Sequence, residues 1–199
     1  MALMSHVAFF LAFSAEASDT KDDLLAKYSN ELATVESYLN NIKNLTADFR
    51  QITSQGAVNT GKFYLSRPGK MRVRYDTDPA IVIVVNGPVL SYYDVELEEI
   101  SNLRTNTTPA SFLTRKNISF SARDIDLLEV EKERNLIKVT LAKKNNRESG
   151  KFSIVFNLNP VSFLQMEVRN DLDDVVNVSL KNLDLVTDID DDLFILKTK

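Results

Sequence analysis

Beyond residue 44 the chain alternates apolar and polar side chains with period two, as strands with one greasy and one wet face do. The clearest case is Gly61 to Tyr75. Phe63 and Leu65 face one way, and Lys62, Tyr64 and Ser66 the other. After Arg67-Pro68-Gly69, Met71, Val73 and Tyr75 oppose Lys70, Arg72 and Arg74. Proline and glycine between two such runs predict a turn, so the stretch reads as a β-hairpin. Arg67 has the parity of Phe63 and Leu65, which aims a cation at the apolar side.

The period changes before residue 44. Leu24, Tyr28, Leu32, Val35, Leu39 and Ile42 recur at steps of three and four, predicting one amphipathic helix over Thr20 to Asn44. Strand patterns then follow one another. Leu45 to Ser54 alternates, and Ile81 to Val85 is a continuous apolar run, predicting a strand buried on both faces. Val89 to Val95, Glu96 to Leu103, Ile125 to Glu133 and Leu136 to Lys143 come next. Phe152 to Leu158, Phe163 to Arg169 and Val176 to Leu180 follow, and Leu193 to Leu196 closes the series. Lys144 to Gly150 reads as a polar loop, and Asn170 to Asp174 as an acidic turn. Thr107-Thr108-Pro109 starts a short inserted helix carrying Phe112 and Leu113. About ten or eleven strands in hairpin order imply an antiparallel sheet, long enough to curl. The expected fold is α+β: a strongly curved, incompletely closed antiparallel β-barrel covered by a helical lid.

With 199 residues and no linker-like composition, one domain is expected. Val7 to Phe13 is a short apolar core, and Ala15-Glu16-Ala17 supplies small residues for cleavage. Residues 1–17 therefore read as a signal peptide without the usual positive start, and residues 18–199 as the exported domain. Export without cysteine points to the periplasm.

A net charge of -4 leaves no footprint for nucleic acid. The chain has no cysteine, and its one histidine, His6, lies in the signal segment. Thiolate chemistry, serine–histidine catalysis and histidine-rich metal sites are therefore outside the exported domain. No glycine-rich phosphate loop and no Gly-x-Ser-x-Gly elbow occur. The cluster Asp188, Asp190, Asp191 and Asp192 lacks the glycine and glutamate of a calcium loop and reads as a solvated turn. Arg72 and Arg74 read as a solvated strand face, and Tyr92-Tyr93 as an ordinary strand pair. An enzyme is not expected, and neither a cofactor nor a metal is implied. The surplus of apolar faces fits either a closed core or a lipid pocket, and periodicity alone leaves both open.

The segment Thr46-Ala47-Asp48-Phe49-Arg50-Gln51 and the hairpin Gly61 to Tyr75 resemble the periplasmic outer-membrane lipoprotein carrier family LolA. The insert Asn106-Thr107-Thr108-Pro109 with Phe112-Leu113 and the ending Leu193-Phe194-Ile195-Leu196 are similar to their counterparts in that family. The family's tryptophans are absent, as is its C-terminal proline. The resemblance implies a soluble monomer that takes acylated lipoproteins from the inner-membrane LolCDE transporter to an outer-membrane, LolB-like acceptor. By parity it implies an acyl-chain cavity of Phe49, Phe63, Leu65, Met71, Val73 and Tyr75. Phe112 and Leu113 become lid residues, and Arg67 a latch that hydrogen-bonds lid carbonyls in the empty state. Two other functions share such a fold: a LolB-like or dual-role receptor, and an RseB-like periplasmic sensing module.

Overall fold

A computed structural model describes residues 19–78, 80–144, 150–169 and 174–197. The expected signal segment lies outside these residues, as do most of the Lys144–Gly150 loop and of the Asn170–Asp174 turn. Among the described residues no helix is long and apolar enough to cross a membrane.

Two helices open the described chain, α1 (Lys21–Lys27) and α2 (Ser29–Asn41). They correct the single helix expected over Thr20 to Asn44. The break falls at Tyr28, whose backbone leaves helical geometry at φ -113°, ψ 26°, just before Ser29 and Asn30, which are weak helix formers. Thr20 and Asp23 cap α1 reciprocally, the hydroxyl accepting from the Asp23 N–H and the carboxylate from the Thr20 N–H.

Six strands follow: β1 (Asn44–Thr53), β2 (Val58–Ser66), β3 (Lys70–Tyr75), β4 (Ile81–Asn86), β5 (Val89–Asp94) and β6 (Glu99–Arg104). A 3₁₀ turn at Thr105–Thr107 and the short helix α3 (Ala110–Thr114) form the insert. Then come β7 (Ile125–Glu133), β8 (Leu136–Lys143), β9 (Lys151–Leu158), β10 (Val161–Arg169) and β11 (Val175–Asp184). All eleven form one antiparallel sheet in the order β6-β5-β4-β3-β2-β1-β11-β10-β9-β8-β7. Strands β6 and β7 are its two edges and do not pair, so the barrel stays open. Register shifts at Thr46/Asp48, Leu127/Glu129 and Phe163/Gln165 add bends of the kind that curl a sheet. The core fills the concavity, joining α1, α2 and α3 to the inner rows of the strands.

Gly61 is fixed by packing. It pairs with Phe49 on one side and Tyr75 on the other. A Cβ there would lie 2.0 Å from the Arg74 carbonyl oxygen and 2.5 Å from the Phe49 ring. Without it the two rings meet edge to face, 5.0 Å between centroids.

The apolar run in β4 is covered on both faces, as its composition predicts. Val82 and Val84 pack on the convex side with Tyr93, against Val95 and Leu196. Part of that cover is the C-terminal segment, and here the expected final strand is corrected. The Asp190 carboxylate accepts from the Asp192 N–H at 2.9 Å and starts a 3₁₀ turn, Asp191–Phe194. The turn lies against β3 and β4. Lys70 pairs with Asp191 at 2.6 Å, and Arg72 donates to the Leu193 carbonyl at 2.9 Å. Arg72 is therefore a tether for this segment and not a freely solvated side chain.

Candidate functional site

The Arg67-Pro68-Gly69 turn sits where the ends of α2 and α3 converge. The Arg67 Nε–H donates to the Leu113 carbonyl at 2.5 Å. Its Nη1 donates to the Ile42 carbonyl at 2.9 Å and to that of Leu39. The backbone adds to this junction. The Arg67 N–H reaches the Lys43 carbonyl at 2.8 Å, and the Gly69 N–H reaches that of Thr114 at 2.7 Å. Gly69 in turn accepts from the Gly87 N–H at 2.8 Å. Gly69 holds φ +85°, a conformation that favours glycine.

These carbonyls sit at helix ends and can still accept, although that of Leu39 already takes the Ile42 N–H at 3.2 Å. The last carbonyls of a helix have no intrahelical partner, and the helix dipole makes that end negative. Helix α2 has no basic residue in its own last turn. Arg67 supplies that cation from the sheet. Its planar fork of donors can serve several carbonyls at once. Among the described residues no carboxylate pairs with it, and burial draws its pKa down to about 10. It stays charged at neutral pH, yet desolvation opposes its position. The cover is therefore held by hydrogen bonds that work against an electrostatic cost.

Beneath the guanidinium lies a small apolar void of about 20 Å³, lined by Phe63, Leu65, Leu113, Phe163, Met166 and Leu180 among others. That volume holds about one water molecule, whereas small-molecule pockets run to roughly 300–1,000 Å³. Admitting a long chain here requires the helices to move. On the far side of α3 a second void of about 40 Å³ is lined by Phe112, Pro109, Ile125, Leu141 and Phe152.

The structure thus gathers Arg67, Phe63, Leu65 and Leu113 at one void. Phe49 and Met71 are buried in the same core. Val73 and Tyr75 lie further along the inner face and are only half-buried. Phe112 points elsewhere: its ring stacks on Phe120 at 5.8 Å, lies 6.1 Å from Phe152, and carries the Arg115 guanidinium at 5.3 Å. Of the tyrosine pair, Tyr93 is buried on the convex side, whereas Tyr92 pairs with Ile83 on the inner face.

One group of residues escaped the sequence reading. Asn40 on α2 donates to the Ile118 carbonyl at 2.9 Å and accepts from the Ile118 N–H at 2.8 Å. One turn earlier, Glu36 accepts from the Phe120 N–H at 2.6 Å and from the Ser119 hydroxyl at 3.2 Å. Lys21 on α1 donates to the carbonyls of Ala122 and Ile125 at 2.8 and 2.7 Å. The segment after α3 is thereby clasped to α1 and α2, with Ile118 and Phe120 driven into the core at 2% and 0% exposure. The alternation Ile118-Ser119-Phe120-Ser121 was its only signal.

The acidic cluster near the C-terminus is occupied by local contacts. Asp190 caps its turn, Asp191 meets Lys70, and Asp192 meets Lys197 at 2.9 Å. Among the described residues no cluster of acidic or histidine side chains is placed to hold a metal.

Known proteins share this architecture. The chain is 26% identical over 166 residues to an uncharacterized protein of Rickettsia prowazekii, covering 83% of this chain and 76% of that one. It is 34% identical over 89 residues to the outer-membrane lipoprotein carrier protein of Methylococcus capsulatus, covering 40% of this chain and 43% of the carrier. A solved structure of a DUF1329 family protein from Desulfovibrio piger superposes with a TM-score of 0.52 at 10% identity, over 85% of this chain and 96% of the other. The sequence profile described as "Outer membrane lipoprotein carrier protein LolA" matches residues 40–197, which hold all eleven strands and α3 but only the last two residues of α2. The chain belongs to the LolA family of outer membrane lipoprotein carrier proteins.

Proposed function

We propose that residues 18–199 form a single periplasmic carrier domain, released from its signal peptide. It ferries acylated lipoproteins as a monomer from the inner-membrane LolCDE transporter to an acceptor at the outer membrane. The acyl chains enter the trough lined by Phe49, Phe63, Leu65, Met71, Val73 and Tyr75. The helical cover, with Leu113 and Phe112 on α3, is the lid, and Arg67 its latch.

The observation that carries this reading is Arg67 itself: a half-buried cation with no counter-ion among the described residues, spent on three carbonyls at the ends of α2 and α3. These bonds cap the end of α2 from the sheet instead of from the helix itself. A cap so placed suits a cover that must open, because its bonds form in the shut state and are lost in the open one. The energetics fit a carrier. An acyl chain of about fifteen methylenes resists leaving a bilayer by roughly 12 kcal/mol, at ~0.8 kcal/mol each. The trough must offset most of that, and it must also release its load. A lid that recloses when empty competes with cargo and so limits affinity.

The test is a two-step transfer assay with Arg67→Leu. Without the latch the closed state no longer competes. The variant is expected to accept lipoprotein from inner-membrane vesicles as well as wild type and to pass it on to outer-membrane vesicles poorly. Normal onward transfer by Arg67→Leu refutes the latch. A wild-type protein that never carries acylated lipoprotein when isolated from a periplasm refutes the carrier role.

A further inference from the structure

Arg67 is not the only polar side chain set into the concave wall. In Asp48-Phe49-Arg50-Gln51, Phe49 and Gln51 share the inner face of β1, so an amide follows an aromatic ring along the trough. The Tyr75 hydroxyl donates to Gln51 Oε1 at 2.8 Å. That bond holds the carboxamide in place and leaves its two N–H donors without an acceptor among the described residues. Both side chains are half-buried. Burial also raises the Tyr75 pKa, so the phenol keeps its proton and remains a donor. Tyr75 lies level with Gly61, four strand residues from Leu65 and the void under Arg67, and Gln51 level with Asn59, six away, roughly 13 and 20 Å along the wall.

We propose that Gln51, oriented by Tyr75, is a polar anchor for the carbonyl-bearing head of a diacylglyceryl-cysteine, the junction between acyl chains and polypeptide. The assignment rests on the carrier reading of the trough. Hydrocarbon offers no acceptor, so an amide exposed to acyl tails alone loses its hydration and gains nothing. Ester and amide carbonyls do accept, and they occur only at the head of such a lipid. Apolar pockets fix the orientation of a ligand with a few polar groups of this kind. An anchor at Gln51 sets the direction of the cargo: head at the Tyr75 end, tails running past Phe63 and Leu65 toward Arg67.

Two ligands separate this role from general packing. One is a synthetic lipopeptide with two ester-linked acyl chains on an S-glyceryl cysteine. The other is an alkyl fluorophore with no carbonyl. Gln51→Leu is expected to weaken lipopeptide binding about tenfold, the worth of one to two hydrogen bonds. The alkyl probe should stay within about twofold of wild type, since leucine keeps the wall apolar. Tyr75→Phe, which removes one hydroxyl, is expected to weaken the lipopeptide about threefold with the same selectivity. Loss of both ligands in parallel overturns the anchor, because it marks a packing role. Lipopeptide binding unchanged in both variants overturns the anchor alone. Wild-type protein that does not bind the lipopeptide overturns the carrier reading as well.

Discussion

The two arms of the sheet carry the same alternation and end in different states. On β8 and β9 the inner rows are sealed: Ile137, Val139, Ile154 and Phe156 are all 0% exposed. On β3, β4 and β5 the row Met71, Val85 and Leu90 is buried, but the next along, Val73, Ile83 and Tyr92, and Tyr75 beyond it are only half-buried, and every residue of β6 is exposed. Coverage makes the difference. Helix α1 packs on β7, and α2 on β9 and β10, while α3 reaches β3. One arm is hydrophobic core. The other is apolar surface that the fold leaves partly bare, and Arg67 sits where the cover meets it.

That contrast can be broken by mutation. Phe156 packs edge to face with Tyr38 and Phe163, at 6.1 and 5.7 Å. Phe156→Ala is expected to destabilise the fold by about 3–5 kcal/mol in urea denaturation. Asn40→Ala leaves the Ile118 N–H and carbonyl unbonded where α2 clasps the segment after α3. About 1–2 kcal/mol is expected there, together with faster hydrogen exchange at Ile118 and Phe120. Val73→Ala, on the bare arm, is expected to cost less than about 1 kcal/mol and to weaken an acyl probe instead. Equal stability losses at Phe156 and Val73 mean that both arms are core and the trough is no reserve.

Much of the fold was legible because most strands keep period two; β7 and β10 break it at their register shifts, where Val130 and Met166 fall out of step with Leu127 and Phe163. The hairpin Gly61 to Tyr75 formed with the expected faces, and the continuous run in β4 announced a cover on both sides. The nature of that cover was not legible. Leu193 to Leu196 has a strand's composition, but the Asp190 cap turns the backbone before a strand can start. The break at Tyr28 was hidden for a similar reason: the apolar stripe runs through it unbroken, and only the weak formers Ser29 and Asn30 mark it. At the candidate site, parity alone flagged Arg67, since a cation on an apolar face needs an explanation. Glu36 and Asn40 gave no such signal. They sit at the border of an amphipathic helix, where polar residues are ordinary, and their partners lie some eighty residues away in sequence.

The central claim is that Arg67 holds the helical cover against the hairpin side of the trough. The chain has no cysteine, so spin labels at Ser37→Cys on α2 and Arg74→Cys on β3, both exposed positions, report the distance between cover and sheet without background. In the empty protein, double electron–electron resonance is expected to give one short, narrow distance distribution. Adding Arg67→Leu is expected to bring in a second, longer population with the circular dichroism of the fold unchanged. An identical single distribution with and without the guanidinium contradicts the claim.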